Sequence, residues 1–344
     1  MQTFHHLARH CVQFVRTIQC QQGNSGTGCS ELNDGHGISC HGYCCFIATN
    51  DASPLLTHTA SAFRIGSNDL TINISGCDIW RASITAHGPA TLHIHNWQSP
   101  TPSVSTFGPG AQWLHARALD FLGAQDVIPT IDAVHNPVAN AQKRFGQLLL
   151  GRSNTPYHEL LHAVLAQRVT SIEAIRQWHH IVRTYGTTAP GPNPSLMLPP
   201  SPDVLASLPY HAFHGFGIER KRAESLISVA KHFDFLSRIM DDNLSPGEMT
   251  QKLQMIPGVG VWTAAVAGGL AFGDPDALLV GDFHVKNTVA YALTGNIRGT
   301  DEEMVQTLTP YAGQRHRVVR WLQLSGIKAP ARGPRRRIVS ITRL

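Results

Sequence analysis

Hydrophobic and polar residues alternate in short runs in the first third of the chain, where strands are the expected structure. The runs Thr71–Ile74, Ile79–Ile84 and Gly88–His95 have the two-residue period of half-buried strands, and glycine or proline separates them. We predict a small antiparallel sheet within a β-rich domain over residues 51–112. Residues 1–50 lack a lasting apolar period, so we predict that they are disordered or a spurious N-terminal extension from an upstream start codon.

From Gln112 onward the apolar spacing changes to that of helices. Leu160–Val169 carries an apolar stripe at helical spacing, and a second helix opens at Ser171. A linker rich in proline and glycine follows over residues 185–202. Later helices are predicted from Ile218, after a cap at Ser245, and over Gln314–Leu324.

The segment Leu253–Ala264 predicts two helices joined by a glycine-rich hairpin. Pro257 ends the first helix, because proline lacks an amide hydrogen and restricts the residue before it. Gly258 and Gly260 permit positive φ and let the backbone approach another molecule closely. The amides after the turn point outward at a helix N-terminus, which suits a phosphate. We therefore predict a main-chain binding site for a nucleic-acid backbone.

Asp282 is a single carboxylate within Val280–His284, just before a third predicted helix. This position is typical of a helix N-cap, which would make its role structural. Next to a site for the nucleic-acid backbone, the same carboxylate indicates chemistry on DNA. We expect it to stay ionised, because the amides and the dipole at a helix N-terminus favour the anion.

Composition and charge fit this interpretation without requiring it. The 344 residues are sufficient for two or three domains, and the net charge of +5 suits a polyanionic partner. Basic residues crowd the C-terminal end, where residues 329–344 form a basic tail that is either solvated or in contact with phosphates. These basic residues are Arg315, Arg317, Arg320, Lys328, Arg332, Arg335, Arg336, Arg337 and Arg343.

All seven cysteines occur at or before Cys77. A group of histidines and cysteines within residues 1–50 could hold a metal, but its spacing is not that of a zinc knuckle or zinc finger. The alternative is a loose segment without a metal. The residues of this group are His36, Cys40, His41, Cys44 and Cys45.

Hydropathy indicates a protein that does not enter membranes. No apolar run approaches the roughly 18 residues needed to span a bilayer. The first 25 residues also lack the apolar centre of a signal peptide. We expect a soluble, cytoplasmic protein that is associated with the nucleoid and monomeric.

The motif residues resemble those of the helix-hairpin-helix DNA glycosylase superfamily, most closely its 3-methyladenine DNA glycosylase II branch. The matching residues are Pro257, Gly258, Gly260, Trp262, Thr263, Ala264 and Asp282. Phrases that match the N-terminal domain of this branch are Trp80–Arg81, Gly88–Leu92 and Phe107–Ala111. The resemblance implies a mainly α fold with a small N-terminal antiparallel β domain. It also implies two helical lobes around a cleft: residues 113–156 plus 275–328, which carry Asp282, and residues 157–274, which carry the hairpin.

By this resemblance Asp282 is the catalytic residue of an enzyme that removes a damaged base from duplex DNA and leaves an abasic site. Relatives that also cut the strand have a lysine at the position of Trp262, so tryptophan implies a monofunctional enzyme. Cationic alkylated bases such as 3-methyladenine suit the aromatic face of Trp262 through cation–π contact. His284 is the second candidate for the base pocket, and contact with a phosphate or simple packing is its alternative role.

The resemblance also implies the residues that contact DNA. Gln167 and Arg168 match the loop that fills the gap left by an extruded base. The chain departs from the branch at Arg168, where an apolar wedge is usual, and at Val266, where an aromatic pocket residue is usual. The predicted contacts to the DNA backbone are Gly258, Val259, Gly260, Lys221, Arg222, Lys286 and Arg317.

No cofactor is required by this interpretation. The main-chain carbonyls of Gln254, Ile256 and Gly258 would hold a structural monovalent cation. The lack of cysteine after Cys77 excludes the iron–sulfur loop that some relatives carry. Two alternative functions stay open: the same fold acting on a deaminated or other damaged base, and a non-catalytic helix-hairpin-helix protein that only binds DNA.

Overall fold

The computed structural model describes Phe63, Gly66 and residues 68–330, which begin with a four-stranded antiparallel sheet. Its strands lie side by side in chain order and are β1 (Ile72–Ser75), β2 (Asp78–Thr85), β3 (Gly88–His95) and β4 (Ser103–Phe107). The predictions for residues 1–50, with their candidate metal ligands, and for residues 331–344 of the basic tail lie outside the described residues. The predicted N-terminal sheet is confirmed.

Alternation along the strands separates a buried face of the sheet from one that is open at the Asp78 end of β2. Ile79, Leu92 and Ile94 point into the core and are at most 2% exposed. Their neighbours in the sequence leave from the other face, since successive side chains on a strand alternate. Asp78 and His95 are such neighbours, and the register places them opposite each other.

Helices make up most of the described residues after the sheet. The α-helices are α1 (Ala111–His115), α2 (Asn136–Phe145), α3 (Pro156–Leu165), α4 (Ser171–Tyr185), α5 (Pro202–Ser207), α6 (Arg220–Lys231), α7 (Phe233–Ile239), α8 (Pro246–Lys252), α9 (Val261–Ala271), α10 (Val285–Thr294), α11 (Asp301–Thr307) and α12 (Arg315–Leu324). Short 3-10 helices span Ala118–Leu122, Tyr210–Phe216, Leu253–Met255 and Thr309–Tyr311. A two-stranded ribbon pairs β5 (Thr187–Thr188) with β6 (Met197–Leu198). None of these described helices is long and apolar enough to cross a membrane.

The centre of the helical core is formed by α3 and α9, which pack against each other. Every residue of α3 is buried, and α9 is buried from Thr263 to Gly269. A Cβ added at Gly268 would lie 2.1 Å from the hydroxyl oxygen of Thr250, so glycine lets α8 and α9 approach closely. Helices that are apolar nearly all round must be covered on all sides, and this holds the hairpin between α8 and α9 against the core.

A buried polar network joins the sheet to α3. Arg81 of β2 forms an ion pair with Glu159 of α3, and both side chains are almost inaccessible to solvent. The ring of His158 lies between the hydroxyls of Thr71, at 3.3 Å, and Ser83, at 3.4 Å. Burial raises the pKa of Glu159 and holds the pKa of His158 well below its usual range. Since an unpaired buried charge is costly, this network specifies how the sheet sits on the helical core.

The predicted fold class, mainly α with a small N-terminal antiparallel sheet, is confirmed. The predicted cap at Ser245 is also present: its hydroxyl accepts the amide of Glu248 at 3.3 Å in a capping box. The predicted helix over residues 160–169 ends early, at Leu165, because the chain turns at Arg168, where φ is +58°. The boundaries proposed for the two helical lobes stay predictions.

Candidate active site

The turn between α8 and α9 requires glycine at position 258 for two reasons. Gly258 has a φ of +90°, a region that side chains rarely adopt. A Cβ there would also lie 2.2 Å from the hydroxyl oxygen of Ser225 on α6. The amide of Val259 closes the turn by donating to the carbonyl of Ile256 at 3.0 Å. This amide is therefore already used within the turn, and the Val259 side chain is buried. Contact of Val259 with the DNA backbone stays a prediction.

Gly260 does not use the positive φ that glycine permits. Its φ is −89°. A Cβ there would meet no atom within 4 Å, and no side chain caps the N-terminus of α9. The first turn of α9 therefore faces open space with its amides outward, which suits an anion.

The side chain of Gln167 forms hydrogen bonds with the hairpin and is not free in solvent. Its Nε2 donates to the carbonyl of Gly258 at 3.1 Å and to the hydroxyl of Thr263 at 2.8 Å. These two bonds tie the loop after α3 to the turn and to the first residues of α9. The amide group of Gln167 thus bonds within the protein, and the gap-filling role expected of Gln167 and Arg168 stays a prediction.

Arg168 is the exposed residue of this loop. A non-glycine residue in the left-handed region is strained, and such strain is concentrated at functional sites. Burial raises the pKa of Glu219, but the bonds from Arg222 outweigh it, and the nearby guanidinium of Arg168 adds a smaller lowering. Arg168 is thus held outward beside the hairpin. Its contact with DNA stays a prediction.

Asp282 connects the hairpin with α10. Its Oδ1 accepts the amides of His284 at 2.8 Å and Val285 at 2.9 Å, so the carboxylate caps α10. Its Oδ2 accepts a hydrogen bond from Nε1 of Trp262, on α9, at 3.2 Å. The capping role and the contact with the hairpin helix therefore belong to different oxygens of one carboxylate. The two residues are twenty positions apart, and only the fold brings them together.

Asp301, which the sequence analysis missed, supports the loop that carries Asp282. Its Oδ1 accepts the amide of Gly281 at 2.8 Å, and its Oδ2 accepts Nζ of Lys286 at 2.8 Å. Burial opposes ionisation of Asp301, but the bonds from Lys286 and Gly281 outweigh it and lower its pKa. The run of acidic residues after Thr300 could have indicated a structural role, since Thr300 and Glu303 form a capping box at the start of α11. Lys286 is thereby paired within the protein.

Two predicted phosphate contacts are wrong, because both arginines are buried. Arg222 is 2% exposed and bonds to Glu219, Gln177 and the carbonyl of Leu165. Its neighbour Lys221 is exposed on α6, one turn before the serine that contacts Gly258. Lys221 stays a predicted phosphate contact.

Arg317 is fully buried in the same way. It pairs with Asp126 at 2.6 Å and bonds to Gln314 and the carbonyl of Leu148. A guanidinium satisfied on both sides by protein groups holds α12 against the loop before α3. The prediction that it contacts a phosphate is wrong.

Exposed apolar side chains surround the hairpin and Asp282, and the sequence analysis missed them. Phe283 is 74% exposed, Met255 69% and Val261 52%. Large apolar groups at such exposure are uncommon and mark contact surfaces. His284, also exposed, packs edge-on against Phe283 with ring centroids 4.9 Å apart. Val266, by contrast, is buried in the core and does not open a pocket toward solvent.

Comparisons with known proteins place this arrangement among DNA glycosylase structures. A 3-methyladenine DNA glycosylase from Archaeoglobus fulgidus superposes with a TM-score of 0.60 over 78% of this chain and 93% of that one, at 15% identity. MBOgg1 in complex with a low-affinity DNA ligand gives a TM-score of 0.57, at 14% identity over 77% of this chain and 90% of that one. The 8-oxoguanine glycosylase/lyase of Clostridium acetobutylicum, bound to double-stranded DNA, gives 0.55 at 11% identity, over 76% of this chain and 88% of that one.

Sequence comparison gives a shorter match. No protein-family model matches the chain. The thymine-DNA glycosylase of Aeropyrum pernix is 28% identical over 153 residues, which cover 43% of this chain and 61% of that protein. The fold defined by the sheet, the hairpin and the helices is thus that of the helix-hairpin-helix DNA glycosylases, and the resemblance seen in the sequence is confirmed.

Proposed function

We propose that this protein is a monofunctional DNA glycosylase. It would hydrolyse the N-glycosidic bond of alkylated bases of the 3-methyladenine type, in nucleotides flipped out of duplex DNA, and leave an abasic site. The observation that carries this proposal is the hydrogen bond from Trp262 to Asp282, which holds a carboxylate beside the phosphate-binding hairpin. The glycosylase fold supports the same conclusion.

Asp282 would stabilise the positive charge that develops on the sugar as the base leaves, and orient the attacking water. At about 4 Å and an effective dielectric near 20, opposite unit charges attract by roughly 4 kcal/mol. This energy corresponds to roughly a thousandfold in rate. Because main-chain amides and an indole already hold the carboxylate, it needs no rearrangement at the moment of reaction.

The strand should stay intact, because position 262 carries no amine. Cleavage through a Schiff base needs a lysine that can attack C1′ of the sugar. Lys286 is the lysine nearest to Asp282 in the sequence, and its amine is 2.8 Å from Asp301. Borohydride should therefore trap no adduct between the protein and DNA, and a trapped adduct would contradict the monofunctional mechanism.

Alkylated bases are favoured by the aromatic groups at the site. A base alkylated on a ring nitrogen is cationic and already a good leaving group, so it needs contact with an aromatic face more than it needs an acid. Trp262 offers such a face, and the exposed ring of Phe283 directly follows Asp282 in the chain. The second candidate is a neutral damaged or mispaired base, which the similarity to a thymine-DNA glycosylase favours. His284 would then supply the proton.

DNA would be held by the hairpin and by the loop after α3. The amides of the first turn of α9 would bind a phosphate, Lys221 a second one, and Arg168 would fill the gap left by the base. The monovalent cation proposed for the hairpin would be bound by carbonyls of Gln254, Ile256 and Gly258. The carbonyls of Ile256 and Gly258 each accept one hydrogen bond. A carbonyl oxygen has two lone pairs, so each keeps one that could bind the ion. Binding should weaken with salt, by about 0.9 in log–log slope for each phosphate neutralised.

The decisive experiment measures release of free base from methylated duplex DNA by the full chain. Asp282→Asn keeps the shape of the side chain and removes its charge, so release should fall by roughly a thousandfold while DNA affinity is kept. Asp234→Asn, at an exposed position on α7, is the matched control and should leave release unchanged. Undiminished release by Asp282→Asn would remove this residue from the mechanism.

A panel of duplexes separates the candidate functions. Duplexes with 3-methyladenine, 8-oxoguanine, uracil and thymine opposite guanine should rank the alkylated base first. Preference for a neutral base would instead support the second candidate and point to His284. Tight binding without release from any of these duplexes would identify a non-catalytic DNA-binding protein.

A further inference from the structure

The open face of the β-sheet carries a cluster of metal-ligating side chains that the proposed function does not use. Asp78 begins β2, and His93 and His95 lie two residues apart on β3. Since Asp78 is opposite His95 and side chains alternate, all three leave the same face of the sheet. One ligand atom from each lies within 4.8 Å of the other two.

We propose that Asp78, His93 and His95 form a binding site for a divalent transition-metal ion, with Zn²⁺ as the best match. Two imidazole nitrogens and one carboxylate oxygen are donors that zinc binds readily. Calcium and magnesium prefer oxygen ligands alone. Three protein ligands leave a further position for water or an exchangeable ligand, as in zinc sites that are open. This site is separate in chemistry from Asp282 and does not rest on the proposed function.

The spacing of the ligand atoms suits a small ion after a slight expansion. Oδ1 of Asp78 is 2.6 Å from Nε2 of His93 and 2.9 Å from Nδ1 of His95. Ligands of a tetrahedral zinc ion are about 3.3 Å apart, given bonds of about 2.0–2.1 Å. The two oxygen–nitrogen distances would each widen by less than about 1 Å, and the ion would replace the protons that now bridge these atoms.

Aromatic packing orients one ligand in advance. The ring of Trp80 stacks on His93 with centroids 3.7 Å apart and an angle of 8° between the planes. Phe107 of β4 stacks on the same indole, with centroids 6.2 Å apart. This stack restricts rotation of the His93 ring while its Nε2 faces Asp78. A ring held in its binding orientation loses little entropy when it binds an ion.

An ion can reach the cluster from solvent. The side chain of His95 is 47% exposed, and those of Asp78 and His93 are 34% and 19% exposed. The cluster can therefore exchange its ion with solvent.

The test measures Co²⁺ binding by the full chain, since Co²⁺ takes zinc sites and reports its ligands by absorption. One ion in the wild-type protein should show a ligand-field band without thiolate charge transfer, because this site lacks sulfur. Asp78→Asn and His95→Ala should each lose that ion. His115→Ala, at an exposed histidine on α1, is the matched control and should keep it.

Thermal unfolding with Zn²⁺ provides a second measurement that also shows whether the variants fold. Zinc should raise the Tm of the wild-type protein and of His115→Ala, and leave the Tm of the two site variants unchanged. Equal Co²⁺ content in the wild-type protein and the site variants would overturn the proposal. It would also be overturned if the only bound Co²⁺ showed thiolate charge transfer, because that ion would be bound by cysteine.

Discussion

The indole nitrogen of Trp262 donates a hydrogen bond to Oδ2 of Asp282 over 3.2 Å. One residue opens α9 and the other precedes α10, so this bond joins the hairpin to the proposed catalytic carboxylate. The same indole presents the aromatic face that would receive the base. In the proposed mechanism, one side chain would therefore set the position of the charge and the position of the base.

Trp262→Phe should separate these two roles. Phenylalanine keeps an aromatic face but cannot donate to Asp282, and a hydrogen bond to a charged group contributes about 1.5–3 kcal/mol. We expect the single-turnover rate of base release to fall by roughly 10- to 100-fold, while the preference for alkylated over neutral bases is kept. Trp113→Phe in α1 is the control and should match wild type. An unchanged rate in Trp262→Phe would show that the bond does not position the carboxylate.

Asp301 should affect the rate of base release through its hydrogen bonds with Gly281 and Lys286. Asp301→Asn removes the charge that holds Lys286, so the loop with Asp282 becomes less well positioned, and we expect base release to slow by roughly 10-fold. Lys286→Gln should slow it equally, and the double variant should be no worse, because both changes break one interaction. Single-turnover rates measure this coupling. Weaker DNA binding by Lys286→Gln alone, with a flatter salt dependence, would show that Lys286 contacts a phosphate instead.

The two glycines of the hairpin should respond differently to alanine. Gly258→Ala places a methyl group against Ser225 at a φ of +90°, and we expect it to lower the free energy of unfolding by at least about 2 kcal/mol. Gly260→Ala meets no atom and should change stability by less than about 1 kcal/mol. It should nevertheless weaken DNA binding, because the methyl group stands where a phosphate approaches. Urea unfolding and fluorescence anisotropy with duplex DNA measure the two effects, and equal destabilisation by both variants would contradict this account.

Buried histidines should make the protein sensitive to acid. Burial holds the pKa values of His158 and His162 well below the usual range, so both are neutral in the folded protein. The unfolded chain takes up these protons as pH falls through about 6.5, so the free energy of unfolding falls with pH, by up to about 1.4 kcal/mol per pH unit for each histidine. Urea unfolding at several pH values between about 5 and 6.5 measures this slope.

His162→Gln should remove one of these two contributions. The slope should become shallower by about 1.4 kcal/mol per pH unit, since other groups that titrate contribute equally to both proteins. His115→Gln, on the surface, should keep the slope of wild type. An unchanged slope in His162→Gln would mean that this histidine does not stay neutral in the folded protein.

The hairpin and the sheet could be predicted from the sequence alone, because local constraints determine them. Pro257 and Gly258 act on the backbone within one or two residues, so their effect does not depend on the rest of the fold. The alternation that places Ile79 and Ile94 inside is also local, because a strand turns its side chains to opposite faces. The helix start at Ser245 follows the same logic, since a capping box closes within four residues.

Contacts between residues that are distant in the sequence could not be predicted from local constraints. A sequence shows that Arg222 and Arg317 are cationic, but the partners that bury them lie up to 191 positions away. The pairing of Asp301 with Gly281 spans 20 positions and depends on how α11 packs beside α10. Pattern alone therefore assigned these arginines to the surface and overlooked the aspartate.

The chain thus specified its elements, its hairpin and its candidate carboxylate by short-range stereochemistry and periodicity. Packing then selected which polar groups bond within the protein and which face solvent: Gln167 bonds to the turn, and Arg168 is exposed. The reason is physical. Backbone preferences are properties of a few adjacent residues, whereas burial and the pairing of charges exist only once the distant segments have come together.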